Sequence, residues 1–332
     1  MVILDGSAAE GGGQIPRTAL ALSMVTGQPF RVKNIRASRA KPGLLKQHVA
    51  VIESAMRLCS AGVDGVSLGS SQFTFFPGDV IAGQYDFTFS AAIPISLILQ
   101  TMLPVLSLAK GVSEVTIEGG IGNRNAPPIE FLTKTYLPQI VKMSPTVTLQ
   151  AASVGLLPIG TGRFKTTIAP GVRFRPITLV DRGVPIQRKA MTSVTNLTGH
   201  QATQEVKELE RTLGLANLSM KNGSGNVLLE MSYEGITEVF TGFAKQGLSS
   251  EEVTADAALQ AKRYMTSKAA ICEFLADQLL VPLALAGSGR FTTTKISAHA
   301  KANMETIRAF LPVDFGIDQL PDGSWLVEVR QA

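Results

Sequence analysis

Hydrophobic residues recur along the chain at spacings that distinguish helices from strands. Leu45, Val49, Ile52, Met56 and Cys59 follow one another at intervals of three or four residues, which predicts an amphipathic helix. Runs such as "FRVKNIRA", "VSLGS" and "QFTFFPG" have β character. A similar order returns from "SEVTIEGG" through "TVTLQA" to "GRFKTTIA". We therefore expect an α+β fold in which β-α-β-β units repeat and helices pack over sheets.

One uncharged stretch, residues 87–109, is long enough to cross a bilayer. Pro94, Ser96, Gln100 and Pro104 interrupt it, and the sequence contains no second segment of this kind. We expect a helix buried inside the core, and no membrane association.

The polarity of the chain changes twice. Between residues 177 and 265 it becomes more polar and contains the helical segment "ATQEVKELERTLG" and the strands "VLLEMSYEG" and "ITEVFTGFA". From residue 266 it is apolar again. These shifts predict a large domain, residues 1–176 and 266–332, interrupted by a smaller inserted α/β domain at 177–265.

The composition favours a folded protein. Of 332 residues, 45% are hydrophobic and 17% are charged, which excludes a disordered or fibrous chain. Cys59 and Cys272 both lie in apolar helical contexts, so neither a disulfide framework nor a thiolate zinc site is expected. The N-terminal "MVILDG" does not resemble an export signal, and we expect a cytoplasmic protein.

Positive charge is concentrated near the N-terminus. The net charge is +5, yet no acidic residue occurs between Glu10 and Glu53. This pattern predicts a phosphate-rich partner held at one place, with a solvated basic edge as the alternative. The basic residues of this segment are Arg17, Arg31, Lys33, Arg36, Arg39, Lys41 and Lys46.

The sequence contains neither GxxxxGK[ST] nor a GxGxxG between a strand and a helix, so the common nucleotide-binding motifs are absent. The best remaining candidate for a phosphate site is "EGGGQIPR". Its three glycines permit close approach of the backbone to a ligand, and the helix-end amides with Arg17 would bind an anion. Glu10 beside them could hold a divalent metal. A tight turn is the alternative interpretation of the glycines.

Each of the three histidines has a different context. His48 follows the basic segment on the amphipathic helix, where it either contacts phosphate or packs at the edge of the core. His200 lies at the predicted start of a polar helix, which favours a capping or surface role. His299 lies in the first turn of a helix and is a candidate nucleophile.

Several motifs together resemble the RNA 3′-terminal phosphate cyclase family, in the same order and across essentially the whole chain. They are "DGSAAEGGGQIPRTALALSMVTGQPF", "IRASRAKPGLLKQHV", "LILQTMLP", "APPIEFL", "CEFLADQLLVPLALAGSG" and "SAHAKAN". The resemblance implies a large domain of three units similar to the C-terminal domain of a translation initiation factor, with a smaller inserted domain.

The activity implied by this resemblance is a three-step ligase reaction. A histidine attacks the α-phosphorus of ATP and releases pyrophosphate, the RNA 3′-phosphate takes the AMP, and the neighbouring 2′-hydroxyl displaces AMP to leave a 2′,3′-cyclic phosphate. Mg²⁺ or Mn²⁺ would accompany ATP. The expected partners are RNA 3′-phosphate ends, with no obligate protein partner.

The resemblance also assigns roles to individual positions. His299 corresponds to the nucleophile, and Glu10 is similar to a metal-binding carboxylate. The residues matched to ATP contacts are Gln100, Pro127, Phe131, Phe274, Leu275, Ala276, Asp277 and Gln278, and those matched to phosphate or RNA-end contacts are Arg17, Arg36, Arg39 and His48.

The chain departs from the family pattern at two places near the expected site. Residues 90–94, "SAAIP", replace a run resembling Gly-Ser-Ala-Gly-Ser, and Phe274 stands where tyrosine is common. Two other functions stay open at this point. One is a catalytically silent scaffold that binds RNA or ribosome-assembly partners, and the other is an enolpyruvyl transferase, whose fold is built from related repeats.

Overall fold

The computed structural model describes residues 1–7, 13–121, 126–144, 152–157, 161–171, 173–194, 207, 209, 213–214, 217–222, 226–244 and 247–332. Within these ranges the strands form four four-stranded sheets, with helices packed against them. The mixed α+β class expected from the sequence is confirmed.

The first sheet has the strand order β1-β2-β4-β3. Its first two strands are parallel because a helix connects them, and the remaining pairs are antiparallel. The elements are β1 (Val2–Asp5), α1 (Gln14–Thr26), β2 (Phe30–Lys33), α2 (Lys46–Cys59), β3 (Gly62–Asp64) and β4 (Phe73–Phe76).

The second sheet repeats this arrangement with the order β5-β6-β8-β7, again with one parallel pair followed by antiparallel pairs. A π-helical turn, Leu132–Tyr136, separates two short helices. The elements are β5 (Gln84–Thr88), α3 (Ile95–Leu106), β6 (Ser113–Gly120), α4 (Ile129–Phe131), α5 (Leu137–Met143), β7 (Ala152–Leu157) and β8 (Thr161–Ile168).

After the short strand β9 (Thr178–Leu179), the chain forms a separate sheet with the order β11-β10-β12-β13 and a helix behind it. These strands lie within residues 177–265, and the helix ends one residue beyond them. They are β10 (Pro185–Val194), β11 (Asn217–Asn222), β12 (Val227–Tyr233), β13 (Thr237–Gly242) and α6 (Ser250–Thr266). We call the sheet β10–β13 the inserted sheet.

The last sheet combines β9 with strands from the C-terminal segment, in the order β15-β16-β14-β9. Thr178 and Leu179 pair in parallel with Arg290 and Phe291, so β9 belongs to this sheet and not to the inserted one. The further elements are α7 (Glu273–Ala286), β14 (Gly289–Thr293), α8 (Ala298–Arg308), β15 (Val313–Gln319) and β16 (Trp325–Gln331).

The three sheets outside the insertion thus share one pattern of strand order and pairing. Their chain order is β-α-β-α-β-β, which adds a leading strand and helix to the β-α-β-β unit expected from the sequence. Helix α1 packs against α2, α3 and α8, which come from the three different units. It therefore lies where the three units meet.

The uncharged stretch at 87–109 contains α3, which is almost entirely buried, as predicted. In the described ranges, every helix is too short or too polar to span a bilayer.

The loop between β2 and α2, which carries much of the basic segment, is closed by backbone hydrogen bonds. The Gly43 amide donates to the Ile35 carbonyl over 2.8 Å, and the Gly69 amide donates to the Leu44 carbonyl over 2.8 Å. Arg36 has φ of +54°, and its guanidinium donates to the Lys41 carbonyl over 2.6 Å. These contacts fix the conformation of the loop at Arg36.

We expect Gly43→Ala to lower the unfolding free energy by about 1–2 kcal/mol more than Gly69→Ala. Both glycines have φ near +80°, so alanine is strained at either. Only at position 43 would the new Cβ collide, at 2.1 Å from the Gly69 carbonyl oxygen. Urea unfolding of the two variants measures the difference, and equal losses would contradict the expected collision.

Candidate active site

A cavity of about 470 Å³ lies between α1, the loop before α2, residues 126–131, the inserted sheet, α7 and α8. It brings together residues from both ends of the chain, although they are far apart in sequence. The predicted site residues that line it are Arg17, Arg36, Arg39, His48, Pro127, Phe131, Phe274, Asp277, Gln278 and His299.

The remaining predicted residues lie elsewhere. Gln100 lines a small adjoining pocket, together with Arg17, Asp277 and Gln278, which border both spaces. Leu275 and Ala276 are buried in the core and are not among the residues that line the cavity. Glu10 and His200 lie outside the described residues.

Arg17 lies in the first turns of α1, and burial lowers its pKa to about 10, so it stays cationic at neutral pH. Its Nη2 donates a hydrogen bond to Oε1 of Gln14. Among the described residues no carboxylate lies within ion-pair distance of Arg17. A partly buried cation without an acidic partner favours an anionic ligand.

His48 is 4% exposed, and burial, followed by the charges of Arg17 and Arg36, lowers its pKa to about 3. The Leu45 amide donates to Nδ1 over 3.0 Å, so the neutral ring carries its proton on Nε2. A Cβ at Gly13 would lie only 2.4 Å from that Nε2. Position 13 therefore requires glycine, and the Nε2–H donor lies close to the start of α1.

The start of α1 adds to this positive region. Gly13 precedes the helix and provides no side-chain cap for its first amides. Free amides at a helix N-terminus bind anions, and Arg17 and His48 offer further donors at the same place. The arrangement can hold a phosphate group.

His299 lies in the first turn of α8 and borders the same cavity. Ser297 caps this helix: its Oγ accepts from the Ala300 amide over 2.8 Å and donates to Oδ1 of Asp277 over 2.6 Å. This cap fixes the turn that carries His299 relative to α7.

A second contact fixes α8 relative to α1. Asn303 Nδ2 donates to the Asp277 carbonyl over 3.0 Å, and Asn303 Oδ1 accepts from Thr18 Oγ1 over 2.6 Å. Thr18 and Asn303 are both buried. The helix with the candidate nucleophile is thus hydrogen-bonded to the helix that carries Arg17.

Asp277 is 7% exposed, and burial raises its pKa to about 7. The Ser297 hydrogen bond opposes this rise, and the charge of Glu273 adds to it. The carboxyl group is therefore able to exchange a proton near neutral pH.

The two predicted aromatic contacts differ in exposure. Phe274, in the first turn of α7, is 44% exposed and offers a ring face to a ligand. Phe131 is buried and contributes mainly to the core, while Pro127 beside it is partly exposed. A planar ligand between Phe274 and Pro127 would have an apolar contact on each side.

Some lining residues were missed from the sequence. The end of the inserted sheet and α6 supply one wall of the cavity, for which their local sequence gave no signal. The missed residues are Gln14, Leu45, Gln47, Ala126, Pro128, Val239, Thr241, Phe243, Asp256 and Gln260. By contrast, the altered run at residues 90–94 does not line the cavity; it packs against the backbone of Gly119 and Gly120.

Within the described ranges, no three His, Cys, Asp or Glu side chains are grouped so that they could hold a metal ion.

The chain is similar to known proteins over nearly its whole length. The family model described as RNA 3′-terminal phosphate cyclase matches residues 8–317. A protein named RNA 3′-terminal phosphate cyclase from Koribacter versatilis (strain Ellin345) is 45% identical over 327 residues, which cover 96% of this chain and 92% of that protein. A protein of the same name from Salmonella enteritidis PT4 (strain P125109) is 41% identical over 335 residues, or 99% and 98% of the two chains.

The low pKa of His48 predicts a loss of stability in acid. Below about pH 6.5 the unfolded chain binds a proton at this position, while the folded protein does not until about pH 3. We expect the stability advantage of wild type over His48→Asn, which lacks the imidazole, to shrink by about 1 kcal/mol between pH 7.5 and 5.5. Urea unfolding at both pH values measures it, and a constant advantage would mean that folded His48 titrates normally.

Proposed function

The chain belongs to the RNA 3′-terminal phosphate cyclase family, and from this premise we propose that it uses ATP to convert an RNA 3′-phosphate into a 2′,3′-cyclic phosphate. The observation that carries the proposal is that His299 borders the same cavity as Arg17, Arg36, Arg39 and His48. A nucleophile and several cationic or donor groups in one space suit attack on a polyphosphate.

In the first step, a ring nitrogen of His299 attacks the α-phosphorus of ATP. The new N–P bond forms as the bond to the β-phosphate oxygen breaks, so pyrophosphate leaves and His299 carries AMP. The guanidinium of Arg17, the Nε2–H of His48 and the free amides of α1 stabilise the phosphate charge. The Ser297 cap keeps His299 oriented toward the cavity.

In the second step, an oxygen of the RNA 3′-phosphate attacks the phosphorus that is bound to His299. The bond between this phosphorus and the ring nitrogen breaks, which frees the imidazole. The adenylylated RNA end then reacts with its own 2′-hydroxyl: a new P–O bond closes the cyclic phosphate and AMP departs. Arg36 and Arg39 contact the RNA end. Because the attacking group is a 2′-hydroxyl, the substrate is RNA and not DNA.

The adenosine of ATP lies between Phe274 on one side and Pro127 with Phe131 on the other. Asp277 and Gln278 follow Phe274 on the same helical face, and both border the cavity, so they bind polar groups of the nucleotide. Gln100 adds a further contact, since both its amide atoms are buried without a hydrogen-bond partner in the described structure. Leu275 and Ala276 can contribute only backbone.

Mg²⁺ or Mn²⁺, bound to the triphosphate and to Glu10, would offset negative charge during attack at phosphorus. We further propose that residues 1–176 and 266–332 form the catalytic domain, of three units similar to the C-terminal domain of a translation initiation factor. Residues 177–265, apart from strand β9, form the inserted domain, and the protein acts in the cytoplasm.

Incubation with ATP and metal ion should increase the mass of wild type by one AMP unit, while His299→Ala stays unmodified. The adduct should be acid-labile and stable in alkali, as expected for a phosphorus–nitrogen bond. Intact-protein mass spectrometry measures the change, with His200→Ala as the control that keeps His299. An adduct that survives in His299→Ala identifies another nucleophile, and no adduct on wild type favours the non-catalytic scaffold.

Phe274→Ala should raise the KM for ATP by about 5- to 150-fold, because stacking on an aromatic ring contributes about 1–3 kcal/mol. Phe274→Tyr keeps the ring and should stay close to wild type. Initial rates of cyclisation at varied ATP concentration measure the effect. An unchanged KM in Phe274→Ala would place the base away from this side chain.

A further inference from the structure

Glu238 is a fully buried carboxyl group that joins the inserted sheet to the start of α7. It lies on β13, and its Oε1 accepts a hydrogen bond from the Cys272 amide over 2.7 Å. The Cys272 thiol donates to Oε2 over 3.2 Å. The contact connects residues 34 positions apart and crosses from the insertion to the C-terminal segment.

The start of α7 depends on this acceptor. Cys272 precedes the helix and makes no side-chain cap, so its own amide finds its partner in Glu238. The next amide, of Glu273, donates to Oγ1 of Thr294 over 3.2 Å. The first turn of α7 is therefore held from two sides, by the inserted sheet and by the segment after β14.

Glu238 acts as a neutral hydrogen-bonding group rather than as a charge. Burial raises its pKa to about 8, with a smaller contribution in the same direction from the nearby Glu273. The hydrogen bonds from Cys272 and the charge of Arg182 oppose this rise. At neutral pH the carboxyl group is mostly protonated, which makes glutamine a close mimic of it.

The other face of β13 borders the cavity. Side chains alternate along a strand, so Val239 and Thr241 point away from the face that carries Glu238, and both line the cavity. Thr241 is 8% exposed, and its Oγ1 has no hydrogen-bond partner in the described structure. On the α7 side, Phe274 lies two residues after Cys272.

The base of the insertion is itself rigidly held. The Arg182 guanidinium lies 4.7 Å from the ring centre of Tyr233 and 4.6 Å from that of Tyr264. It also donates to the carbonyl groups of Tyr264, Met265 and Ser267 at the end of α6. Arg182 precedes the inserted sheet, and α6 is the last element of the insertion. The contacts of Arg182 therefore hold the two ends of the insertion together next to Glu238.

We propose that Glu238 is a positioning residue for ATP: through the Cys272 amide it sets the distance between Phe274 on α7 and the cavity wall formed by Val239 and Thr241. The proposal rests on the proposed function, since it assumes that ATP occupies this cavity. Glu238 does not touch the nucleotide and acts through α7.

Two variants of equal side-chain length separate this role from mere packing. Glu238→Gln keeps a carbonyl acceptor for the Cys272 amide, whereas Glu238→Met keeps the volume and removes the acceptor. We expect Glu238→Met to raise the ATP concentration for half-maximal self-adenylylation at least fivefold, with the rate at saturating ATP within twofold of wild type. Glu238→Gln should stay within twofold for both quantities.

Leu229→Ala provides the control for loss of stability. Leu229 is buried in the inserted sheet and lies outside the cavity lining, so this variant weakens the same sheet while Glu238 and α7 stay intact. Its half-maximal ATP concentration should match wild type. If Leu229→Ala and Glu238→Met shift it equally, or if Glu238→Met leaves it unchanged, the proposal is overturned.

Hydrogen exchange of the unliganded protein tests the contact without any nucleotide. Amide exchange in residues 272–278 should be at least tenfold faster in Glu238→Met than in wild type, and unchanged in Glu238→Gln. Unchanged exchange in Glu238→Met overturns the proposal even if wild type is adenylylated. Faster exchange with a wild type that forms no adduct supports the contact, and the proposed function then fails instead.

If Glu238→Met does not fold, Glu238→Ala replaces it in both measurements at reduced temperature, because the space it leaves lets water reach the Cys272 amide. The same fivefold and tenfold limits decide the outcome.

Discussion

The hydrogen bond between Thr18 and Asn303 is the contact on which the geometry of the candidate site depends. It joins side chains 285 positions apart, both buried, at the junction of α1 and α8. The Asn303 side chain also donates a hydrogen bond to the Asp277 carbonyl, and the Asp277 carboxyl group accepts one from Ser297 at the start of α8. Buried polar groups tolerate few alternative arrangements, so this network of hydrogen bonds fixes α1, α7 and α8 relative to one another. Arg17 and His299 therefore border one cavity, although they lie at opposite ends of the sequence.

The groups around this junction are kept in protonation states that suit an anionic ligand. Burial keeps His48 neutral, while Arg17 stays cationic without an acidic partner in the described structure. Burial raises the pKa of Asp277 to about 7, so it carries less negative charge at neutral pH than an exposed carboxylate. Each of these states costs folding free energy, since the group would be better solvated in the unfolded chain. A bound polyphosphate would offset that cost through its contacts with the same groups.

Local patterns in the sequence predicted local structure well. The three- and four-residue spacing from Leu45 to Cys59 falls on α2, and the uncharged stretch contains the buried helix α3. The meeting of His299 with the N-terminal basic residues was not available from spacing, because it depends on packing between units; the family resemblance supplied it. The contribution of Thr241, Asp256 and Gln260 could not be predicted, because nothing in their local sequence indicates which face of the insertion meets the core. Leu275 and Ala276 show a limit of predicting contacts from a motif. A motif matches consecutive residues, but in a helix some of those side chains point into the core.

The division of the last sheet by the insertion affects how the protein is made. β9 is synthesised before the insertion and β14 after it, and the contact from Thr292 to Val180 at this junction spans 112 positions. At about 5–20 residues per second, β9 waits roughly 6–22 s for its partner strand to emerge from the ribosome. By the end of that interval the first two sheets and the inserted sheet have all their strands, while the helix carrying His299 is still missing. The candidate nucleophile His299 is thus among the last parts of the chain to reach its place, after the basic segment beside it has already been translated.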